Sequence, residues 1–231
     1  MLLRGYIRGM NPKPYPLIPR SKRWQAMASL QLAVARGWHY WTGGSLPQDR
    51  ARSLAAKLNV RFGGLMGYSL TNHQSDSRKK RHAPRPRLVL IEGNENAVLW
   101  FLLCDQPELP GERLGDARDR HQRLRYAERY ELVRTTKPAR IGGGQHWTWR
   151  YVPGVYATHV DEGTRYAAHE SPKRVQALID YLVTDPGFSG LRTQRMQLFG
   201  RILRIRQRQK PGREGLRIPA LPFLNPTQAR T

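Results

Sequence analysis

Six arginines lie close together near the carboxyl-terminal end of the chain, and their spacing is its strongest chemical signal. They are Arg192, Arg195, Arg201, Arg204, Arg206 and Arg208, and no Asp or Glu occurs between Pro186 and Arg213. Guanidinium groups three and four residues apart are neighbours on a helix, where like charges destabilise it. Phosphates would relieve this repulsion and accept paired hydrogen bonds. The pattern therefore predicts a helix that binds nucleic-acid phosphates.

The apolar residues of this stretch predict which arginines point outward. At about 100° per residue, four of them fall on one stripe of a helix: Leu191, Leu198, Ile202 and Ile205. Three arginines cluster on the opposite side: Arg201, Arg204 and Arg208. We therefore predict phosphate binding by these three, together with Arg192 and Arg195 near the start of the helix. The alternative is an ordinary solvated helix face.

A second basic segment covers residues 71–87, which are polar and interrupted by Pro84 and Pro86. This composition predicts a mobile loop. Such a run of cations can follow a phosphate backbone or enter a minor groove. We therefore predict nucleic-acid contacts for Arg78, Lys79, Lys80, Arg81, Arg85 and Arg87. The alternative is a loop that serves only solubility.

Histidines provide the chemistry of a rival function, that of a metal-independent ribonuclease. This reaction needs a general base, a general acid and a cation that stabilises the transition state. His121 with Arg123 and Arg125, or His146 with Arg150, would supply these groups. The chain lacks the H-x-H spacing of rolling-circle nickases, the zincin histidine pair and the P-loop pattern. We assign no catalytic residue, and we predict neither a metal site nor a cofactor.

Aromatic and polar residues alternate along residues 146–151. The period of two places Trp147, Trp149 and Tyr151 on one face of a strand. Such a face either packs into the core or stacks on unpaired bases. Both interpretations remain open from the residues alone.

The overall charge indicates a class of binding partner. Lys and Arg number 40 against 17 Asp and Glu, a formal net charge of +23 on 231 residues. Self-repulsion of this size disfavours a compact chain unless an anionic partner neutralises it, and nucleic acid is the partner that releases condensed counterions on binding. Hydrophobic residues make up 39% of the chain, which is enough for a sizeable core.

Cysteine content and hydropathy bear on the location of the protein. The single cysteine, Cys104, excludes an internal disulfide and follows an apolar run, so we expect it to be buried. No run of about 18 apolar residues occurs, so we predict no membrane span, and the amino terminus lacks the apolar region of a signal peptide. We therefore expect a cytoplasmic protein.

Local patterns predict the elements that position these residues. Helices are predicted over 21–36, 45–58, 154–168, 172–184 and 191–209, with a short one within 111–125. The second begins with a capping box of Ser45 and Gln48. Strands are predicted over 39–42, 88–91, 98–103, 130–135 and 146–152, with Gly43-Gly44 turning the first. This order predicts an α+β fold, an antiparallel sheet of four to five strands flanked by amino- and carboxyl-terminal helices.

The prolines divide the chain. Residues 1–20 contain four prolines and predict a basic extended arm, a further candidate for phosphate contact. Residues 21–209 are predicted to form a single domain that carries the basic loop at 71–87. Residues 210–231 contain three further prolines after Pro211 and predict an irregular tail.

Several stretches together resemble poorly characterised proteins of proteobacterial conjugative plasmids and integrative elements. They are residues 40–43 with the 47–58 helix that follows, Tyr130-Glu131-Leu132-Val133-Arg134, Trp147-Thr148-Trp149-Arg150 and Pro186-Gly187-Phe188-Ser189-Gly190. The resemblance covers about residues 38–200. It implies a role in the biology of a mobile element and carries no catalytic residue to this chain.

These observations predict a nucleic-acid-binding protein of a mobile element, without enzymatic activity, that works within a larger nucleoprotein complex. The predicted partner is DNA or RNA, and the residue pattern does not distinguish between the two. The first alternative is the metal-independent ribonuclease, acting on a hairpin RNA. The second is a structural subunit of a guide-RNA complex.

Overall fold

The strands predicted from residue patterns pair in antiparallel fashion in the computed structural model of the chain, which describes residues 17–62, 71–137, 139, 142–209 and 215–221. The helices are α1 (Arg23–Ala35, after a short 3-10 turn at Arg20–Lys22), α2 (Gln48–Phe62), α3 (Asn72–Lys80), α4 (Pro153–His169), α5 (Pro172–Val183) and α6 (Ser189–Gln209). The strands are β1 (Tyr40–Pro47), β2 (Arg87–Glu92), β3 (Ala97–Cys104), β4 (Gly115–Asp116), β5 (Arg125–Tyr126), β6 (Tyr130–Thr136) and β7 (Gln145–Tyr151). The α+β class is confirmed.

Residue contacts divide the chain into two compact units. Unit 1 comprises residues up to Arg23 together with Tyr40–Leu114, and unit 2 comprises Trp24–His39 and Gly115–Thr231. The described strands form two sheets, where one was predicted. The single domain predicted over residues 21–209 stays a prediction.

Unit 1 is built on the antiparallel order β2-β3-β1, and the predicted hairpin of β2 and β3 is confirmed. Leu88 pairs with Leu102, and the turn closes with the amide of Ala97 donating to the carbonyl of Asn94. The core beneath the sheet combines strand residues with the inward face of α2: Ala55, Leu58, Leu88, Leu102 and Cys104. The burial predicted for Cys104 is confirmed.

The predicted turn at Gly43-Gly44 is wrong. β1 continues through both glycines to Pro47, with Gly43 opposite Phe101, so the capping box predicted for Ser45 and Gln48 does not form. A Cβ atom on Gly43 would lie 2.6 Å from the carbonyl oxygen of Trp100. The glycine is needed because the neighbouring strand backbone approaches closely, and not because the chain turns.

The loop predicted over residues 71–87 is also wrong in its first half, because Asn72–Lys80 form α3. The hydroxyl of Thr71 accepts a hydrogen bond from the amide of Gln74, and the Gln74 side chain accepts one from the amide of Thr71. This capping box satisfies amides that the first turn leaves free. Apolar periodicity did not indicate the helix, since none of its residues is buried.

Unit 2 contains the antiparallel order β5-β6-β7 and the remaining helices. Its core forms on the aromatic face of the sheet, where Trp149 is fully buried and its indole nitrogen donates to the carbonyl of Met27 at 3.0 Å. α6 lies along the outer side of β7, where the side chain of Gln194 accepts a hydrogen bond from the amide of Tyr151. This contact satisfies a strand-edge amide that would otherwise be unpaired.

Other predictions for unit 2 had mixed outcomes. α4, α5 and α6 confirm the predicted helical third of the chain, and α1 ends before Gly37, whose φ is +105°. The short helix predicted within 111–125 is wrong, since this segment contains the two-residue strand β4 and turns that lead to β5. Here closely spaced charged residues form local turns, as where the amide of Arg118 donates to the carboxylate of Asp116.

The two ends of the chain are described only in part. Residues 1–16 of the predicted arm lie outside the described residues, whereas Ile18 forms a parallel bridge with Ile91 of β2. In the predicted tail, residues 215–221 form neither helix nor strand, and Arg217 exchanges two hydrogen bonds with the side chain of Gln176. Among the helices that the described residues form, none has the length and apolarity needed to span a bilayer.

Candidate nucleic-acid interface

The outward face of α6 carries the three arginines that periodicity predicted to be exposed. Arg201, Arg204 and Arg208 are all exposed, and none of them forms an ion pair with a carboxylate in the described part of the chain. The Nε of Arg204 donates to the carbonyl of Gly200 at 3.1 Å, which holds its side chain along the helix surface. Thr193 and Gln197 extend this face towards the start of α6 without adding negative charge. We call these five residues the outer face of α6.

Arg195 lies on the opposite side of α6, and the prediction that it binds phosphate is wrong. Its exposed fraction is 0%. Its guanidinium donates to the carbonyls of Leu182, Asp185 and Pro186 at 2.9 Å each and to that of Val183 at 3.3 Å. These carbonyls belong to the end of α5 and the turn after it, where a helix leaves acceptors unpaired and favours a cation. Arg195 is therefore a structural residue.

Arg206 performs the same task for another helix. It is 1% exposed, and its guanidinium donates to the carbonyl of Glu170 at 2.9 Å and to that of Ala167 at 3.4 Å, at the end of α4. Sequence spacing could have indicated that both arginines are buried, since Arg195 follows Leu191 by four residues and Arg206 follows Ile202 by four. Both arginines thus fall on the apolar stripe. Arg192, at the edge of this stripe, is half-buried.

The basic residues between 78 and 87 separate into two groups. Lys79, Lys80 and Arg81 are exposed at the end of α3. Arg78 donates to the carbonyls of Pro84 and Phe62, and Arg85 forms an ion pair of 2.6 Å with Asp105. Arg87 is half-buried on β2. The first group is available to a ligand, whereas Arg78 and Arg85 hold the segment between α3 and β2 in place.

The strand aromatics are core residues. Trp147, Trp149 and Tyr151 are all buried, so the base-stacking interpretation is wrong for this face. Trp149 packs edge-on against Tyr126, with ring centroids 6.4 Å apart. These large aromatic side chains fill the space under a small sheet, which would otherwise bury little apolar surface.

The arginines predicted to assist a catalytic histidine are engaged elsewhere. The Nη1 of Arg123 and the Nε of Arg150 both donate to the same oxygen of Glu131, at 3.0 and 2.7 Å. Glu131 is buried, so this triad satisfies a carboxylate inside unit 2. His121 is exposed and its Nε2 accepts a hydrogen bond from its neighbour Arg120. Neither predicted pair of histidine and arginine is therefore formed.

His146 instead meets a serine that is distant in sequence. Its Nε2 lies 3.1 Å from the Oγ of Ser189, the first residue of α6. The Ser189 hydroxyl donates to the Oγ1 of Thr148 at 2.9 Å, and that oxygen also accepts the amide of Gly190 at 3.0 Å. The hydroxyl of Thr135 lies 3.4 Å from Nε2 and 3.5 Å from Nδ1 of the same imidazole. Four side chains with hydroxyl or imidazole groups thus converge at one end of β6 and β7.

A separate polar cluster surrounds the buried carboxylate of Asp185. This carboxylate accepts hydrogen bonds from the hydroxyls of Tyr130, at 2.6 Å, and Tyr151, and it pairs with the guanidinium of Arg129 at 2.8 Å. Burial and the adjacent Asp185 raise the pKa of both tyrosines. The tyrosines therefore remain protonated donors, which suits a structural network and not a nucleophile.

Three histidines of unit 2 make stability depend on pH. Burial lowers the pKa of His159, and Arg129 lowers it further, while Asp185 and Glu162 oppose the shift. Burial is also the main cause of the lowered pKa values of His39 and His146. Between these lowered values and the ordinary histidine pKa of about 6.5, the unfolded chain binds more protons than the folded chain.

We therefore expect the free energy of unfolding to be highest above about pH 6.5 and to fall as the pH drops through that value. Urea unfolding at several pH values between about 5.5 and 7.5 measures this slope. The variant His159→Leu, which keeps the side chain buried but cannot titrate, should show a shallower slope than the unchanged chain. An equal slope in the two proteins would contradict the part assigned to His159.

Comparisons with protein-family models, with curated proteins and with solved structures find no match to this chain.

Proposed function

We propose that this chain is a nucleic-acid-binding protein that contacts the phosphate backbone through the outer face of α6. The observation that carries the proposal is a set of three exposed guanidinium groups, on Arg201, Arg204 and Arg208, without carboxylate partners among the described residues. Arginines so arranged repel one another until an anion lies between them. Phosphate matches the planar guanidinium and accepts two parallel hydrogen bonds from it.

The dimensions of the outer face suit a phosphate backbone. Arg201 and Arg208 are seven residues apart, which is about 10 Å along an α-helix. Successive phosphates of one duplex strand rise by about 3.4 Å along the axis, so this face spans about three of them. Three guanidinium groups can therefore engage three neighbouring phosphates.

The remaining charge supports the same partner. Unit 1 contains 17 Lys and Arg against 7 Asp and Glu, a net charge of +10, and unit 2 contains 23 against 10, a net charge of +13. Both units thus attract a polyanion. Lys79, Lys80 and Arg81 at the end of α3 supply additional exposed cations. We assign them a secondary, sequence-independent contribution to binding.

The cellular setting is proposed from the resemblance alone. Residues 38–200 resemble proteins of conjugative plasmids and integrative elements, so we propose a cytoplasmic role on the nucleic acid of a mobile element, within a nucleoprotein complex. Of the alternatives, the ribonuclease loses the support of Arg123 and Arg150, whose guanidinium groups pair with Glu131. A structural role in a guide-RNA complex stays a prediction.

Binding measured against salt concentration tests the proposal. We expect labelled DNA or RNA, as single strand or duplex, to bind with a log–log salt slope of about −5 to −9, as for six to ten neutralised phosphates. Polyglutamate of equal charge is the control, because it offers charge without bidentate phosphate geometry. No binding at about 50 mM salt, or equal affinity for polyglutamate, would refute the proposed function.

A further inference from the structure

Ser189 and His146 are placed as a nucleophile and its base. The hydroxyl oxygen and Nε2 are 3.1 Å apart, which is within the range for proton transfer from serine to histidine. The two residues are 43 positions apart in sequence, so the fold brings them together. Ser189 is exposed and His146 half-buried, which leaves the hydroxyl accessible to a substrate and the imidazole partly shielded.

The surroundings hold this pair in a defined geometry. Thr148 is buried on β7 and contacts the Ser189 hydroxyl, while the amide of Gly190 is anchored on the same threonine. A Cβ atom on Gly190 would lie 2.6 Å from the carbonyl oxygen of Trp149, so α6 begins in close contact with the β7 backbone. The hydroxyl of Thr135 also contacts the imidazole, 3.4 Å from Nε2 and 3.5 Å from Nδ1. Rigid support of this kind is what a nucleophile and base require.

The protonation state of the imidazole is suited to a base. Burial lowers the pKa of His146, and the positive charge of Lys137 lowers it further. The ring is therefore neutral at neutral pH and free to accept a proton. The same lysine supplies positive charge near the point where an anionic substrate would gain charge during the reaction.

We propose that Ser189 is a catalytic nucleophile, with His146 as its general base, and that the substrate is a phosphodiester. The Oγ of Ser189 forms a bond to phosphorus while the bond from phosphorus to one sugar oxygen breaks. The Ser189 hydroxyl, which donates to Thr148 before the reaction, turns its proton to Nε2 of His146, and the proton then passes to the departing sugar oxygen. The products are a strand end joined to Ser189 and a second strand end with a free hydroxyl, so the reaction needs no further reactant.

The choice of a phosphodiester rests on the proposed function. The described residues of the first turn of α6 include no acidic side chain, and Lys137 is the charged residue acting on His146. A neutral carboxylic ester is not drawn to this positive field before it reacts, whereas an anionic phosphodiester is attracted by it. Serine attack does not use the 2′-hydroxyl, so DNA and RNA are both chemically acceptable and the experiment separates them.

The test is a search for a covalent adduct between the full chain and end-labelled DNA or RNA, each single-stranded and duplex. After denaturation, we expect label to migrate with the protein and to map to Ser189 by peptide mass spectrometry. Ser189→Ala should abolish the adduct, and His146→Gln should slow its formation about 100-fold. The rate should rise with pH as His146 deprotonates, and this rise should be absent in His146→Gln. Thr158→Ala, which removes an exposed hydroxyl on α4, is the matched control and should react normally.

Binding measured on the same samples separates this inference from the proposed function. Binding by the unchanged chain without any adduct, or an adduct that persists in Ser189→Ala, would overturn the nucleophile and leave the proposed function standing. Cleavage of RNA without an adduct would also overturn it and would favour the ribonuclease. If no nucleic acid binds, the phosphodiester substrate is overturned with the proposed function. In that case a fluorophosphonate tests the pair of Ser189 and His146 itself, because a serine nucleophile attacks its phosphorus with loss of fluoride. Failure of this probe to label Ser189 would overturn the assignment of Ser189 as a nucleophile.

Discussion

Replacing Arg195 with methionine is expected to lower the free energy of unfolding by about 4 kcal/mol, the largest single-site effect that we predict on stability. Methionine fills much of the buried volume but donates no hydrogen bond. The carbonyls of Val183, Asp185 and Pro186 would then lose the guanidinium donor, whereas that of Leu182 would keep the amide of Asp185. A buried acceptor without a partner costs about 1–3 kcal/mol, and relaxation around the site reduces the sum over the three.

Urea unfolding followed by tryptophan fluorescence measures this loss, since Trp149 is buried in the same unit. Arg201→Met is the matched control, because it makes the same substitution on the exposed face of α6 and should change stability by less than about 0.5 kcal/mol. Equal effects of the two substitutions would show that Arg195 does not support the end of α5. Arg195→Lys should be intermediate, since an ammonium keeps the charge but reaches fewer of the carbonyls.

Replacing Arg201, Arg204 and Arg208 together with glutamine is expected to weaken nucleic-acid binding about 100-fold at about 150 mM salt. Each lost phosphate contact should also reduce the magnitude of the log–log salt slope by about 0.9 on duplex DNA, so the total change is close to 3. The loss should be similar on all sequences, because phosphate contacts carry no base information. Folding should be unaffected, since the three side chains are exposed.

The matched control removes three cations from another surface of the same unit. Arg165, Lys173 and Arg174 are exposed, and Arg174 pairs with Glu170 at 3.1 Å. Their replacement with glutamine changes the net charge equally and should weaken binding by less than about threefold, as expected for charges outside the contact. If both triple variants lose the same affinity, binding responds to net charge alone and the outer face of α6 is not the contact surface.

The arginines of α6 illustrate what a residue pattern can and cannot predict. The apolar stripe correctly predicted that Arg201, Arg204 and Arg208 point outward, because helical periodicity is a local property. The same stripe places Arg195 and Arg206 inward, yet a charged residue is buried only where partners exist, and those partners are carbonyls at the ends of α5 and α4. No local pattern reveals that two other helices end beside α6.

The predictions for the segment after residue 71 and for the glycines of β1 were wrong for a related reason. α3 is held by the capping box of Thr71 and Gln74 and buries no side chain, so apolar periodicity had nothing to detect. Gly43 was interpreted as a turn because glycine is common in turns, whereas its role is to admit the carbonyl of Trp100. In both places the decisive contacts involve backbone groups, which composition does not report.

The sequence by itself determined the α+β class, the hairpin of β2 and β3, the helical carboxyl-terminal third and the exposure of three arginines on α6, because each follows from apolar spacing within a short window. Tertiary structure alone decided which cations are internal, as with Arg195, and which reactive groups meet, as with His146 and Ser189. Those outcomes depend on where one element ends against another. The chemistry of a side chain follows from its residue type, but its partner depends on how the helices and strands pack.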